Sequence, residues 1–163
     1  MTTTEAGLAE IRLTSPAFEY GKPIPKVHTC DGDGASPVLR WTGGPMARSY
    51  ALVCDDPDAP RGTWDHWVLY NLPGGTVELT QGVPPLAELP SGARHGKNSW
   101  DKLGYGGPCP PPGKPHRYFF RVYALDISLN LDPGTTKDEL EKAMTGHILG
   151  QGMLMGTYQR QAP

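Results

Sequence analysis

The chain of 163 residues carries 15 Lys and Arg against 17 Asp and Glu, which gives a formal net charge of -2. A chain of this length supports one domain with its own core, so we expect a single domain over residues 1–163. The near-balanced charge excludes both the basic field that nucleic-acid binding needs and a polybasic anchor for anionic membranes.

The N-terminal segment lacks the features of a targeting signal. Its sequence, MTTTEAGLAEIRL, has neither the basic start nor the apolar run of a signal peptide. No segment of the chain approaches the roughly 18–20 apolar residues of a membrane span. We therefore expect a cytoplasmic protein with no membrane span.

Three apolar runs, at 49–55, 66–72 and 117–126, predict β-strands. They are rich in aromatic and β-branched residues and are bounded by Pro, Gly and Asp. In the third run both faces carry bulky side chains, which favours a strand in the middle of a sheet.

The segment from 73 to 115 shows no clear strand or long helix. Gly (21) and Pro (18) are abundant in the chain, and this segment ends in the stretch GYGGPCPPPGKPHRY. Because proline fixes φ and removes the backbone donor, this end of the segment should be a preformed loop.

Near the C-terminus the sequence predicts one helix. Thr136 and Glu139 have capping-box spacing, and Leu140, Ala143, Met144 and His147 follow at helical spacing. No long helical pattern separates the predicted strands, so antiparallel pairing is favoured. The fold class that follows is all-β, an antiparallel β-sandwich with a short C-terminal helix.

The spacing of cysteine and histidine favours neither a disulfide framework nor a metal site. There are three cysteines, an odd number, with no CxxC pair, although contact between Cys30 and Cys109 stays open. Neither of these two has a basic residue nearby in sequence that would activate its thiol. No two histidines lie at i, i+2 or i, i+4, so we expect no metal and no cofactor.

Several titratable residues lie where the predicted strands end beside proline-rich turns, and they would meet at one pocket if those strands are neighbours. This set consists of Asp56, Asp58, His66, His116 and Tyr118. An alternative for Asp56 is a turn residue that caps backbone amides, and an alternative for His66 is a satisfied core histidine.

Strand alternation assigns these residues to faces. Trp64 and His66 share one face, and so do His116 and Tyr118, while Arg117 points the other way, towards an acidic partner. The set offers a base without a nucleophile, because the chain has no GxSxG, HExxH, P-loop or GxGxxG motif. We therefore expect a protein that is not an enzyme.

Two stretches carry a family resemblance. DDPDAPRGTWDHWVLYNLP (55–73) and GYGGPCPPPGKPHRYFFRVYALD (104–126) resemble the two signatures of the phosphatidylethanolamine-binding protein family. The segments 28–41 and 136–160 are similar to its prokaryotic, Raf-kinase-inhibitor-like branch. The resemblance implies a central larger sheet that packs on a smaller one.

The resemblance also implies a small anion pocket at one end of the central sheet. Its lining would be Asp56, Trp64, His66, Pro111 or Pro112, His116 and Tyr118, with Asp58, Pro60 and Arg117 close to it in supporting positions. It implies a cis peptide at Ala59–Pro60, and a contact between Asp56 and His66 that would raise the pKa of the imidazole. The sequence departs from the family motif at Lys114 and Pro115.

The function that the resemblance implies is binding of a phosphate, phosphomonoester or carboxylate head group, with a regulatory role towards a kinase or protease. Partners would be that anion, such a protein, and a second copy of the chain in a homodimer. The alternatives are a serine protease inhibitor that acts through a surface loop, and a weak hydrolase of small esters or phosphoesters.

Overall fold

The structure is a computed structural model and describes residues 8–161. Its strands are β1 (Ala9–Thr14), β2 (Leu39–Gly43), β3 (Ser49–Asp56), β4 (Trp64–Pro73), β5 (Glu78–Leu79), β6 (Arg94–His95), β7 (His116–Leu125) and β8 (Ile148–Tyr158). One α-helix, α1 (Lys137–Met144), lies between β7 and β8, and a 3-10 turn spans Lys26–His28. No helix in this part of the chain is long and apolar enough to cross a membrane.

The eight strands form one sheet in the order β5-β2-β1-β8-β7-β3-β4-β6. Every pair is antiparallel except β1 with β8, which run parallel where Ala9 meets Gly150. The all-β prediction is confirmed, but the expected division into a larger and a smaller sheet takes another form. Strand β1 pairs on both sides, with β2 and with β8, and so joins the two halves into one mixed sheet.

The main core lies between the two halves of this sheet. Ile11 and Trp41 from the β1–β2 half share one buried cluster with Leu52, Trp67 and Phe120 from the β3–β4–β7 half. Burial of these apolar side chains holds the halves face to face, at roughly 25 cal/mol per Å². The result is a sandwich-like arrangement of a single sheet.

A second, smaller core lies on the outer face of the central strands. Helix α1 places Leu140 and Met144 against Val53, Val68 and other residues of β3 and β4. Strands β3 and β4 are therefore covered on both faces. The predicted central position of the third apolar run is also confirmed, since β7 lies between β8 and β3.

The capping box predicted for α1 is present. Thr136 Oγ1 accepts a hydrogen bond from Glu139 N–H at 3.2 Å, and Glu139 Oε1 accepts one from Thr136 N–H at 3.1 Å. These reciprocal bonds satisfy two backbone donors at the start of the helix. His147, predicted as the last helical position, lies beyond the end of α1 and pairs instead with Asp126.

The long segment from 73 to 115 contains only the two-residue strands β5 and β6, as its composition predicts. His95 organises its middle part: Nδ1–H donates to Leu86 O at 2.7 Å, and Nε2 accepts from Trp67 Nε1–H at 3.0 Å. Both bonds need the neutral ring, and burial lowers the pKa of His95.

Candidate functional site

A cavity of about 200 Å³ opens where β3 ends and where β4 and β7 begin, beside the proline-rich loop. The structure brings together there most of the residues predicted as a site: Asp56, Pro60, Trp64, His66, Pro111, His116 and Tyr118. Pro112, the alternative to Pro111, does not line the cavity and is exposed to solvent.

Asp56 has both roles that the sequence allowed, as a turn residue that caps a backbone amide and as a residue of the site. Its Oδ1 accepts the backbone N–H of Asp58 at 2.7 Å, which caps the turn, and its Oδ2 accepts from His116 Nδ1–H at 2.7 Å. The prediction that Asp56 contacts His66 is therefore wrong. Asp56 is 3% exposed, so the carboxylate holds the imidazole of His116 in one orientation at the cavity wall.

A β-bulge in β4 determines which side chains reach the cavity. Cys54 pairs with Trp67 and Asp55 pairs with Asp65, so His66 is the extra residue. Such a bulge lets successive residues point to the same side of a sheet. His66 and Trp67 consequently face the same side, and ordinary alternation from His66 places Trp64 on the cavity face as well, as predicted. Asp65 is turned to the opposite face.

The imidazole of His66 is fixed by the backbone of a neighbouring loop. Its Nδ1–H donates to Gly106 O at 2.6 Å, and this is the one hydrogen bond that the ring makes to residues 8–161. Burial, the largest influence, lowers the pKa of His66, and the hydrogen bond to Gly106 O and the negative charge of Asp56 offset this only in part. The expected upward shift is therefore wrong, and Nε2 of the neutral ring is a hydrogen-bond acceptor.

Tyr118 supplies the phenol expected at the site. Its ring meets that of His66 edge to face, with the ring centroids 5.2 Å apart. Burial, and next the nearby charge of Asp56, raise the pKa of Tyr118 far above its usual value. The hydroxyl consequently stays protonated and remains a hydrogen-bond donor.

Sequence reasoning missed the opposite wall of the cavity. Trp100 stands edge to face against both His66 and Trp64, at centroid distances of 5.0 and 5.5 Å. Asn98 shapes its loop by accepting from the N–H groups of Trp100 and Lys102 and donating to Gly104 O. No sequence motif marks Trp100, because it lies in the irregular segment 73–115.

Three further wall positions, Ala59, Cys109 and Pro110, come from the two proline-rich turns. Proline restricts φ before any ligand arrives, so these walls lose little conformational entropy on binding. The cavity therefore combines fixed walls with two oriented imidazoles and one phenol.

The predicted cis peptide at Ala59–Pro60 is wrong, since all peptide bonds of the described residues are trans. The turn itself explains why. Gly62 N–H donates to Ala59 O at 3.2 Å, which places Pro60 at the second position of a β-turn. Trans proline favours that position, and the trans form is the intrinsically preferred isomer.

Arg117 pairs with an acidic residue, Asp58, as predicted. Its guanidinium contacts both carboxylate oxygens of Asp58, at 2.9 Å from Nε and 2.8 Å from Nη2. Its backbone N–H also donates to Asp58 Oδ2. Arg117 thus lowers the pKa of Asp58 and ties the turn after β3 to the start of β7.

Behind the cavity, on the helix-covered face, two carboxylates share two cations. Lys137 Nζ lies 3.0 Å from Asp55 Oδ2 and 3.0 Å from Asp65 Oδ1. Arg121 Nη1 lies 3.0 Å from Asp55 Oδ1. Asp55 and Asp65 each adjoin a cavity residue in sequence, so this network anchors α1 to the ends of the strands that build the site.

A disulfide joins Cys30 and Cys109 across 79 residues, with the Cα atoms 5.4 Å apart. The sequence left this contact open, but the odd cysteine count had argued against it. The third cysteine, Cys54, is buried and free. Cys109 has a basic neighbour, because Arg160 Nη1 lies 3.8 Å from Cys109 Sγ. Arg160 is 51 positions away in sequence, so the residues next to Cys109 in the chain do not reveal this contact.

A larger groove of about 790 Å³ lies across β1, β2, β7 and β8, but no histidine or cysteine lines it, and its charged residues are Glu10, Arg12 and Arg121. Between residues 8 and 161, no group of three or more His, Cys, Asp or Glu is placed to hold a metal ion. The smaller cavity is therefore the candidate site.

The chain matches one known family over most of its length. The family model described as phosphatidylethanolamine-binding protein covers residues 14–159. The chain belongs to the phosphatidylethanolamine-binding protein family. The resemblance seen in the two sequence signatures is thereby confirmed.

Relatives in this family match the chain over nearly its whole length. A UPF0098 protein of Methanothermobacter thermautotrophicus is 49% identical over 151 residues, which make up 92% of this chain and 99% of that protein. The crystal structure of the homolog CT736 from Chlamydia trachomatis superposes with a TM-score of 0.85 at 42% identity, covering 93% and 99% of the two chains. That of E. coli YbcL gives a TM-score of 0.86 at 30% identity, covering 94% and 100%.

Proposed function

We propose that the cavity binds the oxyanion head of a small ligand, a phosphate, a phosphomonoester or a carboxylate. The observation that carries this proposal is the convergence of His66, His116 and Tyr118 on one cavity of about 200 Å³. Pockets for drug-sized ligands have about 300–1,000 Å³, so this space suits a head group.

The hydrogen-bond inventory supports an oxyanion. Nδ1–H of each histidine is already engaged, that of His66 by Gly106 O and that of His116 by Asp56. The remaining nitrogen of each ring accepts when the ring is neutral and donates when it is charged. A monoprotonated phosphate offers both kinds of partner, whereas a carboxylate requires the charged rings. The Tyr118 hydroxyl donates to either.

Binding without turnover is part of the proposal. The cavity lining includes no serine, threonine or free thiol, and Cys109 is in a disulfide. The pair of Asp56 and His116 nevertheless has the geometry of a general base that could activate water, which makes ester hydrolysis the rival function. A regulatory role towards a kinase or protease, and a protease-inhibiting surface loop, belong to the same set of proposals.

Calorimetric titration with acetate between pH 5 and 8 tests the binding. Affinity should rise as the pH falls below about 6.5, because protonation of His66 adds a charge and a second donor. His66→Gln and His116→Gln should each weaken binding about tenfold or more, the loss expected for a charge-assisted hydrogen bond of roughly 1.5–3 kcal/mol.

The matched control is His147→Gln. This residue forms a similar histidine–carboxylate pair outside the cavity and should leave acetate affinity unchanged. Acetate affinity that does not vary with pH and is the same in all three variants would overturn the proposal. Incubation with p-nitrophenyl acetate and p-nitrophenyl phosphate tests the rival function, ester hydrolysis. Turnover that is lost in His116→Gln would show that the protein is a hydrolase.

A further inference from the structure

The Cys30–Cys109 disulfide lies at the rim of the cavity. Cys109 is one of the cavity-lining residues and is followed directly by Pro110 and Pro111, which also line it. Both cysteines of the bond are exposed to solvent. The cross-link therefore combines access from solvent with direct contact to the candidate binding site.

The loop that carries Cys109 is held by few hydrogen bonds. Four of the five residues from 108 to 112 are prolines, so Cys109 has the one backbone N–H of this stretch. Cys30 N–H donates to Pro108 O at 3.1 Å just before the loop, and Gly113 N–H donates to Arg160 O at 3.2 Å just after it. Between these two points, the disulfide is the covalent tie to the rest of the fold.

We propose that Cys30–Cys109 is a reversible thiol–disulfide site that controls ligand binding in the cavity, with a dithiol as its reductant. The proposal deepens the proposed function, since it rests on the cavity's being an oxyanion site. In the oxidised protein the disulfide holds Pro110 and Pro111 in position at the cavity wall. In the reduced protein the loop that carries these two prolines is no longer tied to Cys30.

The charge next to the disulfide indicates which sulfur the reductant attacks and which one leaves. A thiolate of the dithiol attacks Sγ of Cys30, and Cys109 leaves as a thiolate beside the guanidinium of Arg160, 3.8 Å away. The second thiol of the dithiol then resolves the mixed disulfide. Two electrons and two protons pass to the protein, which ends with two thiols, and the dithiol becomes a disulfide.

Acetate titration of the oxidised and the reduced protein tests the control of binding. The dissociation constant should rise about tenfold after reduction with dithiothreitol, because the rim must then be ordered on binding. The double variant Cys30→Ser, Cys109→Ser should match the reduced protein and should not respond to dithiothreitol. If the double variant fails to fold, the comparison between the oxidised and reduced native sequence decides alone.

The failures are distinguishable. Acetate binding of equal strength in both redox states overturns this inference and leaves the proposed function standing. No acetate binding in either state overturns the proposed function, and the inference with it. Three free thiols after air oxidation, counted by alkylation and mass measurement, overturn the inference alone.

The role of Arg160 has its own readout. Arg160→Gln should slow reduction by dithiothreitol about threefold, because the departing thiolate loses a neighbouring positive charge. Arg12→Gln, an exposed arginine on β1, is the control and should leave the rate unchanged. Equal rates in the two variants would show that the assigned direction of attack is wrong.

Discussion

The molecule holds two histidine–carboxylate pairs of nearly the same geometry in different surroundings. His116 Nδ1 lies 2.7 Å from Asp56 Oδ2, and these side chains are 13% and 5% exposed. His147 Nδ1 lies 2.8 Å from Asp126 Oδ1, and these side chains are 40% and 46% exposed. Contact distance therefore does not distinguish a candidate site from a surface ion pair.

Burial and shared partners do distinguish them. Solvent and salt screen the exposed pair, which contributes about 0–1 kcal/mol. The carboxylate of the buried pair also caps a turn, through the N–H of Asp58, and its histidine lines the cavity. Removal of the buried carboxylate consequently disturbs both the local backbone and the site.

The largest difference should appear when each carboxylate is removed. Asp56→Ala leaves Asp58 N–H and His116 Nδ1–H without acceptors in partly buried positions, and should lower the free energy of unfolding by about 3 kcal/mol. Asp126→Ala should lower it by less than about 1 kcal/mol. Urea unfolding at pH 7.5, followed by tryptophan fluorescence, measures both, and equal losses would break the comparison.

A partly buried carboxylate behind the cavity, Asp65, extends the comparison. Lys137→Met leaves Asp65 without its cation, while Asp55 keeps Arg121, so the free energy of unfolding should fall by about 2–3 kcal/mol. Lys142→Met, on the exposed side of the same helix, should cost less than about 1 kcal/mol. Asp65→Asn added to Lys137→Met should restore part of the lost free energy of unfolding, because it removes the unpaired charge. If the double variant recovers no stability, the loss in Lys137→Met does not come from Asp65.

The buried histidines should make the free energy of unfolding depend on pH, whereas the exposed histidine–carboxylate pair should not. Burial lowers the pKa of His66 and of His95, whereas an unfolded histidine titrates near 6.5. The unfolded chain therefore binds more protons, so stability is full above about pH 6.5 and is lost as the pH falls through the lower folded values. Unfolding measured from pH 5 to 7.5 should show this slope. His95→Gln should flatten it and His147→Gln should not; a slope unchanged by His95→Gln would refute the explanation.

The smallest expected effect concerns the phenol. Tyr118→Phe removes one neutral donor and should weaken acetate binding about fivefold, close to 1 kcal/mol. Tyr105→Phe is the matched control, because its hydroxyl donates to His28 O at 2.7 Å and it does not line the cavity. That variant should lose stability but keep its affinity. Titration of both distinguishes a ligand contact from a packing effect.

The sequence predicted the central strands, the capped helix and most of the cavity wall, because these depend on local patterns. Strand alternation was enough to bring His116 and Tyr118 to one face, and Thr136 with Glu139 was enough to begin the helix. Strand β8 was not predicted, since glycine at 150, 152 and 156 weakens a strand pattern. A Cβ at Gly152 would clash with Ile11 O, so this strand needs glycine for close approach to β1.

The remaining errors concern partners that are distant in sequence. Asp56 bonds to His116 instead of His66, and Arg160 reaches Cys109, because chain folding over 60 and 51 positions decides those contacts. The direction of the pKa shift of His66 depends on how deeply the ring is buried, which strand alternation does not specify. Trp100 carried no local signal at all.

The bulge at His66 has a consequence for insertions and deletions in β4. A regular strand has a period of two, so deletion of one residue reverses the face of everything on one side of it. Loss of His66, the extra residue, would instead restore a regular ladder, in which Trp67, Asp65 and Trp64 keep their present partners Cys54, Asp55 and Asp56 and their present faces. Deletion of this one residue would therefore remove an imidazole from the cavity and leave the aromatic wall and the anchor of α1 in place.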